Sequence, residues 1–162
     1  ERSFGAGEKP ILSLKKLRAY LDSNVFIFGK ERQESNSRII LDLAEEGKIV
    51  PVTSYLTLEE LREYFSRKYD RETAVNEIYY LISLPNLEIV SRDKVKQKIG
   101  EYKGVVVDKD LPHLISAILA KADYFVTYNR HFIDSRAKEY VQIITQADFV
   151  KLLGIKPQQT SY

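Results

Sequence analysis

The residues of this chain able to do chemistry are mostly acids and amides, and they fall in four groups. Asp22 closes the apolar run Leu17–Leu21 within Asp22-Ser23-Asn24. Glu59 and Glu60 lie behind a second run, Lys48–Thr53. Asp108 and Asp110 precede the apolar spacing of Leu111, Leu114, Ile115 and Ile118, and Asn129 follows the run Asp123–Thr127. There is no cysteine, which excludes disulfides, thiolate metal sites and cysteine nucleophiles. Carboxylates that converge repel one another unless a divalent cation neutralises them, and hard oxygen donors suit Mg²⁺ or Mn²⁺. Such ions activate water and clamp a phosphodiester for in-line displacement, so the set points towards phosphoryl chemistry.

These groups can meet only if particular elements carry them. The apolar runs Leu17–Leu21, Lys48–Thr53, Leu87–Val90, Asp123–Thr127 and Tyr140–Ile144 read as strands. Between them lie helical patterns from about Ser35 to a stop at Gly47, over Ser54–Tyr69, from Asp70 to Pro85, over Val95–Tyr102, from Asp110, and over Gln146–Leu153. Val25–Gly29 reads as a buried turn. In the helix after Asp70 the expected apolar stripe is Ala74, Val75, Ile78, Tyr79 and Ile82, and with the preceding helix it would form a hairpin made sticky by Tyr64, Tyr69, Tyr79 and Tyr80. Strands alternating with helices predict an α/β three-layer sandwich, a central parallel sheet of four to five strands flanked by helices. In such sheets the site lies at the C-terminal ends of the strands, which is where the four groups fall.

The chain has 162 residues, a net charge of +2 and 44% hydrophobic residues, enough for one domain with one core. We expect the domain over residues 14–154. Residues 1–13, in a chain with no methionine, are expected to be an N-terminal tail, disordered or left by processing, and 155–162 a C-terminal tail. No apolar run reaches membrane-spanning length, and a cytoplasmic location is expected. The mild charge means that any basic surface must come from arrangement.

Three motifs occur in order: Asp22-Ser23-Asn24-Val25-Phe26 ending the first strand; Ser54 to Leu61, ending Glu60-Leu61; and Asp110-Leu111-Pro112 followed by Ala122-Asp123-Tyr124-Phe125-Val126-Thr127. In this the sequence resembles the PIN domain family, over most of the stretch from Leu17 to Phe132. The resemblance implies a metal-dependent ribonuclease, either a toxin of VapC type with an antitoxin partner or an RNA-processing nuclease, acting as a homodimer and leaving 5′-phosphate and 3′-hydroxyl ends. It implies Asp22, Glu60 and Asp110 as ligands of Mg²⁺ or Mn²⁺, with Asn129 where the family often has a fourth acid. Asn24, Thr127 and Arg130 are then supporting or substrate-contacting residues, and Glu59, Asp108 and Asp134 are alternates.

Each acid also has a role that needs no metal. Asp22 could simply end a strand, Thr57-Leu-Glu-Glu60 fits a capping box, and Asp110 suits a helix N-cap before Pro112. What favours chemistry is that three independent caps have no reason to share one edge of a sheet. His113 reads as a helix-surface residue and His131 as a loop residue. Arg62, Arg67, Lys68, Arg130 and Arg136 are candidates for an RNA-facing rim. The rival reading is a catalytically silent RNA-binding or scaffold module. A phosphoacceptor receiver-type domain ranks last, because it lacks paired acids after the first strand.

Overall fold

Five short strands, β1 (Arg18–Leu21), β2 (Val50–Ser54), β3 (Glu88–Val90), β4 (Tyr124–Val126) and β5 (Ile143–Ile144), form one sheet. Their order is β3-β2-β1-β4-β5 and every neighbouring pair is parallel. The computed structural model describes residues 15–162, and the tail expected over 1–13 lies outside them. Side chains alternate across the sheet. Ala19, Leu21 and Val126 enter one core with Ile40, Leu41, Leu61 and Phe65, whereas Tyr20, Val52 and Phe125 enter the other with Leu114, Ile115 and Phe132. Each core lies between one face of the sheet and the helices that cover it, giving the three layers of the expected sandwich.

Helices on the first face are α1 (Ser23–Glu31), α2 (Asn36–Glu45), α3 (Tyr55–Lys68) and α4 (Arg71–Ile82). The expected turn over Val25–Gly29 is instead part of α1. The unbroken run Val25-Phe26-Ile27-Phe28 hid its helical period, but Asp22 caps it by accepting from the Ser23 N–H. Gly29 lets α1 pack against α2: a Cβ there would sit 2.4 Å from Leu41 Cδ1. Ser35 caps α2, and Gly47, at φ +71°, ends it in the left-handed conformation. Ser54, not Thr57, caps α3, so the capping box at Thr57–Glu60 does not form.

The α3–α4 hairpin forms as expected, with Asp70 capping α4 through the Thr73 N–H. Its buried stripe differs by about one position. Ala74, Glu77 and Leu81 face inward, whereas Val75, Tyr79 and Ile82 are exposed. Lys30 pairs with Glu77 at 2.9 Å, which lets an acid occupy that inner face. Three of the four hairpin tyrosines are tied down: Tyr64 and Tyr69 donate to Glu31, and Tyr80 donates to Glu45.

On the second face the expected helix over Val95–Tyr102 is two pieces, α5 (Arg92–Lys96) and α6 (Ile99–Tyr102). A 3₁₀ turn over Asp108–Asp110 then leads into α7 (Leu111–Leu119), and α8 (Arg130–Ile133) follows β4. Finally α9 (Gln146–Leu152) returns to pack on α2. Residues 155–162 lie against the start of α2. The Asn36 side chain donates to the Thr160 carbonyl at 2.7 Å and accepts from the Gln158 N–H at 2.7 Å, and its backbone N–H donates to the Tyr162 carbonyl at 2.9 Å. Tyr162 stacks on Phe28 with ring centroids 4.3 Å apart. No helix among the described residues is long and apolar enough to cross a membrane.

Candidate functional site

From β1 the chain crosses to β2 on one side, while β4 pairs with β1 on the other, so a crevice opens beyond the C-terminal ends of these two strands. Asp22 is the first residue past β1, and its N–H donates to the Val126 carbonyl at 3.2 Å. Thr127 is the first past β4, and its buried hydroxyl donates to Asp22 Oδ2 at 2.6 Å. The Ser23 N–H donates to Asp22 Oδ1 at 2.8 Å, and Asn24 Nδ2 stands 3.4 Å from Oδ2. These donors fix the Asp22 carboxylate at the rim of the sheet.

Glu60 reaches the same place from the second turn of α3. Its Oε1 accepts from the Ser23 hydroxyl and lies 2.9 Å from His113 Nε2, on the first turn of α7. His113 Nε2 is also 3.8 Å from Asp22 Oδ1, and one ligand atom from each of Asp22, Glu60 and His113 can be chosen so that all lie within 4.8 Å of one another. Behind the ring, His113 Nδ1 is 2.7 Å from the Tyr20 hydroxyl, which in turn donates to Ser54 Oγ at 2.9 Å. The expectation of His113 on the helix surface is therefore wrong: it is 2% exposed. Leu111 and Leu114 suggested the buried face, but a histidine within that apolar face read as solvent-facing because its two partners are far away in sequence.

Asp110 completes a cavity of about 390 Å³ lined also by Asp22, Asn24, Glu60, His113 and Asn129. It starts α7 without capping it, since its side chain accepts no N–H of the helix. Its Oδ2 is buried with no hydrogen-bond partner, and His131 Nδ1 stands 3.6 Å away. A cap accounts for Asp22 in part, but it does not account for Asp110.

The ionisation of the three groups differs. Burial pushes the Asp110 carboxyl up; the His113 charge pulls it back, the nearby Asp22 charge adds to the rise, Lys109 and His131 offset it a little, and burial wins. Burial also raises the Glu60 carboxyl, but the His113 hydrogen bond and charge, with the Ser23 hydroxyl, outweigh it and hold Glu60 below the ordinary carboxylate range. Burial works against a charged His113. Tyr20, Glu60 and Asp22 around the ring nevertheless hold its pKa well above the ordinary histidine value.

The remaining candidates divide. Asn129 lines the cavity, with its Oδ1 accepting from the His131 N–H at 2.9 Å and its own N–H donating to Thr127 Oγ1. Glu59 pairs with Arg92, Asp108 with Lys103 and Asp134 with Arg130, and none of these six side chains lines the cavity. Of the expected basic rim only Arg67 reaches it, joined by Lys109, which the sequence reading passed over. Also unforeseen were Tyr20 and Gln146. Gln146, fully buried on α9, donates to Asn24 Oδ1 at 3.2 Å and so supports the Asp22 side of the cavity.

A family model described as a PIN domain matches residues 18–131, which include Asp22, Glu60, Asp110 and His113. Three solved structures are similar in fold. VapBC-1 from nontypeable Haemophilus influenzae aligns at TM-score 0.58 and 16% identity. DNA-bound VapBC from Salmonella typhimurium aligns at 0.57 and 20%. VapBC2 from Rickettsia felis, bound to a DNA fragment from its promoter, aligns at 0.56 and 17%. Each alignment covers 80% of this chain and 98% of the other. Among curated proteins no relative matches.

Proposed function

This chain belongs to the PIN domain family, and from that premise we propose that its acidic cleft is the active site of a divalent-cation-dependent endoribonuclease. One observation carries the reading. Asp110 lines the same cavity as Asp22 and Glu60, and its Oδ2 is buried with no protein donor to satisfy it. A buried carboxylate oxygen without a donor is costly, and a cation is what such a position accommodates. The oxygen-rich donor set fits Mg²⁺ or Mn²⁺, with Asp22, Glu60 and Asp110 as its carboxylate ligands.

When bound, the ion supplies charge neutralisation at the scissile phosphate and a water of lowered pKa. The chain's own groups prepare the rest. Thr127, Asn24 and the Ser23 N–H hold Asp22 in one orientation, and Ser23 with His113 holds Glu60. Lys109 and Arg67 line the mouth of the cavity, where each can bind an RNA phosphate and fix the register of the strand. Asn129 brings no charge, so it can contribute only its carbonyl. The proposal includes two protein partners. An antitoxin is one, since the three similar structures are VapBC assemblies. A second copy of the chain is the other, with Val75, Tyr79 and Ile82 as exposed apolar residues for it.

The test is cleavage of end-labelled single-stranded and hairpin RNAs with Mn²⁺, Mg²⁺ or chelator, run beside an Asp22→Asn protein purified in parallel. The expected result is metal-dependent cutting that the substitution abolishes. RNA bound equally well in chelator, with no cutting in any metal, would replace the nuclease by a silent RNA-binding module.

A further inference from the structure

The cavity is not lined by oxygen alone. His113 Nε2 faces into it between two carboxylates, 2.9 Å from Glu60 Oε1 and 3.8 Å from Asp22 Oδ1. Two donors each about 2.1 Å from one octahedral ion stand about 3.0 Å apart when adjacent and about 4.2 Å apart when opposed. The Glu60 separation matches adjacent donors and the Asp22 separation lies between the two arrangements. The other ring nitrogen is already committed. The Tyr20 hydroxyl, which donates to Ser54 Oγ at 2.9 Å, lies 2.7 Å from His113 Nδ1 and occupies that nitrogen. Nε2 is then the nitrogen turned to the carboxylates. A backing hydrogen bond of this kind is what orients imidazoles that ligate metals.

We infer that His113 is itself a ligand of the ion held by Asp22 and Glu60, so that the site has a mixed nitrogen and oxygen donor set. The inference rests on the cation site proposed above. Ligation replaces the hydrogen bond from Nε2 to Glu60, and the proton of that bond leaves to solvent. Imidazole suits transition ions, whereas Mg²⁺ favours oxygen and water, so the site selects Mn²⁺ over Mg²⁺. Asp110, whose buried Oδ2 has no hydrogen-bond partner, keeps its place as the third carboxylate ligand of the same ion.

The chain has two histidines, His113 and His131. A His131→Ala protein therefore carries His113 as its one imidazole, with the buried residue left intact. We would load this protein with Mn²⁺, prepared once with ordinary and once with ¹⁵N-labelled histidine, and record pulsed electron paramagnetic resonance. The expected result is a nitrogen modulation on the Mn²⁺ signal that changes from ¹⁴N to ¹⁵N character with the label. Bound Mn²⁺ without any histidine modulation overturns the ligand role and leaves the carboxylate site standing. Mn²⁺ that binds the Asp22→Asn protein as well as the wild type, or binds neither, overturns the cation site and this inference with it.

Discussion

Asp110→Asn separates stability from activity, because the carboxylate it removes has no partner in the protein. Its side chain is 8% exposed, Oδ2 accepts no hydrogen bond, and His131 Nδ1 at 3.6 Å is beyond hydrogen-bonding reach. Burial, and then the Asp22 charge, raise the carboxyl above its ordinary value. An acid whose folded pKa lies above its unfolded one gives its full stability below the unfolded value and loses it as pH rises through the folded value. At neutral pH without metal the wild type therefore carries the whole cost. A buried unpartnered polar group costs about 1–3 kcal/mol and a charged one more. Asparagine keeps the neutral part of that cost, so removing the charge should return about 1–2 kcal/mol, a Tm higher by about 2–8 °C for a chain of this size. Melts in chelator at neutral pH should show this, and the two proteins should converge as pH falls through the Asp110 range. With Mn²⁺ at about a hundred times its Kd the order reverses, since binding adds about 2.7 kcal/mol to the wild type alone. A variant that melts below the wild type in chelator, or gains as much from Mn²⁺, refutes the idea that Asp110 is an uncompensated charge awaiting a cation.

Thr127→Val deletes a buried donor to Asp22 and should cost about 1.5–3 kcal/mol, lowering Tm by about 3–12 °C, while Thr127→Ser keeps the hydroxyl and recovers most of the loss in the same melt. Gly29→Ala, a change that in an open helix gains about 1 kcal/mol, should instead lose about 1–3 kcal/mol in urea unfolding, because the new Cβ meets buried Leu41 at 2.4 Å. Arg67→Ala removes an exposed pair with Glu63 and should leave stability within about 0.5 kcal/mol. It should also flatten the salt dependence of single-stranded RNA binding by about 0.7 in log–log slope, and an unchanged slope would take Arg67 off the phosphate path.

The sheet was legible because its strands are short apolar runs separated by helical spacing, and the C-terminal-edge rule carried Asp22, Glu60 and Asp110 to one cavity without any contact being known. Local signals also placed Ser35, Asp70 and Gly47 at helix ends. Reading failed where a tertiary partner decides the outcome. The run Val25–Phe28 has no polar residue to mark its period, so α1 was missed. The exposed face of α4 was misjudged because Glu77 turns inward only with Lys30 from α1 to pair with it. His113 and Tyr20 lie 93 positions apart and Glu60 and His113 lie 53 apart, so neither contact leaves a trace in spacing. Lys109, between Asp108 and Asp110, carries no local signal that it would line the cavity.

The grip of Asn36 on residues 158–162 engages main-chain atoms at every hydrogen bond it makes: the carbonyls of Thr160 and Tyr162 and the amide of Gln158. Recognition of that kind is indifferent to side-chain identity. Lys156 to Ser161 can therefore drift in composition over evolutionary time while the strap keeps its course, with two exceptions. Proline at 158 would remove the amide that Asn36 reads, and position 162 needs a flat ring to lie on Phe28. The constraint on the strap falls on a residue 122 positions upstream. Variation among relatives would thus be permissive across the strap and narrow at the buried Asn36, the same direction that exposure alone suggests.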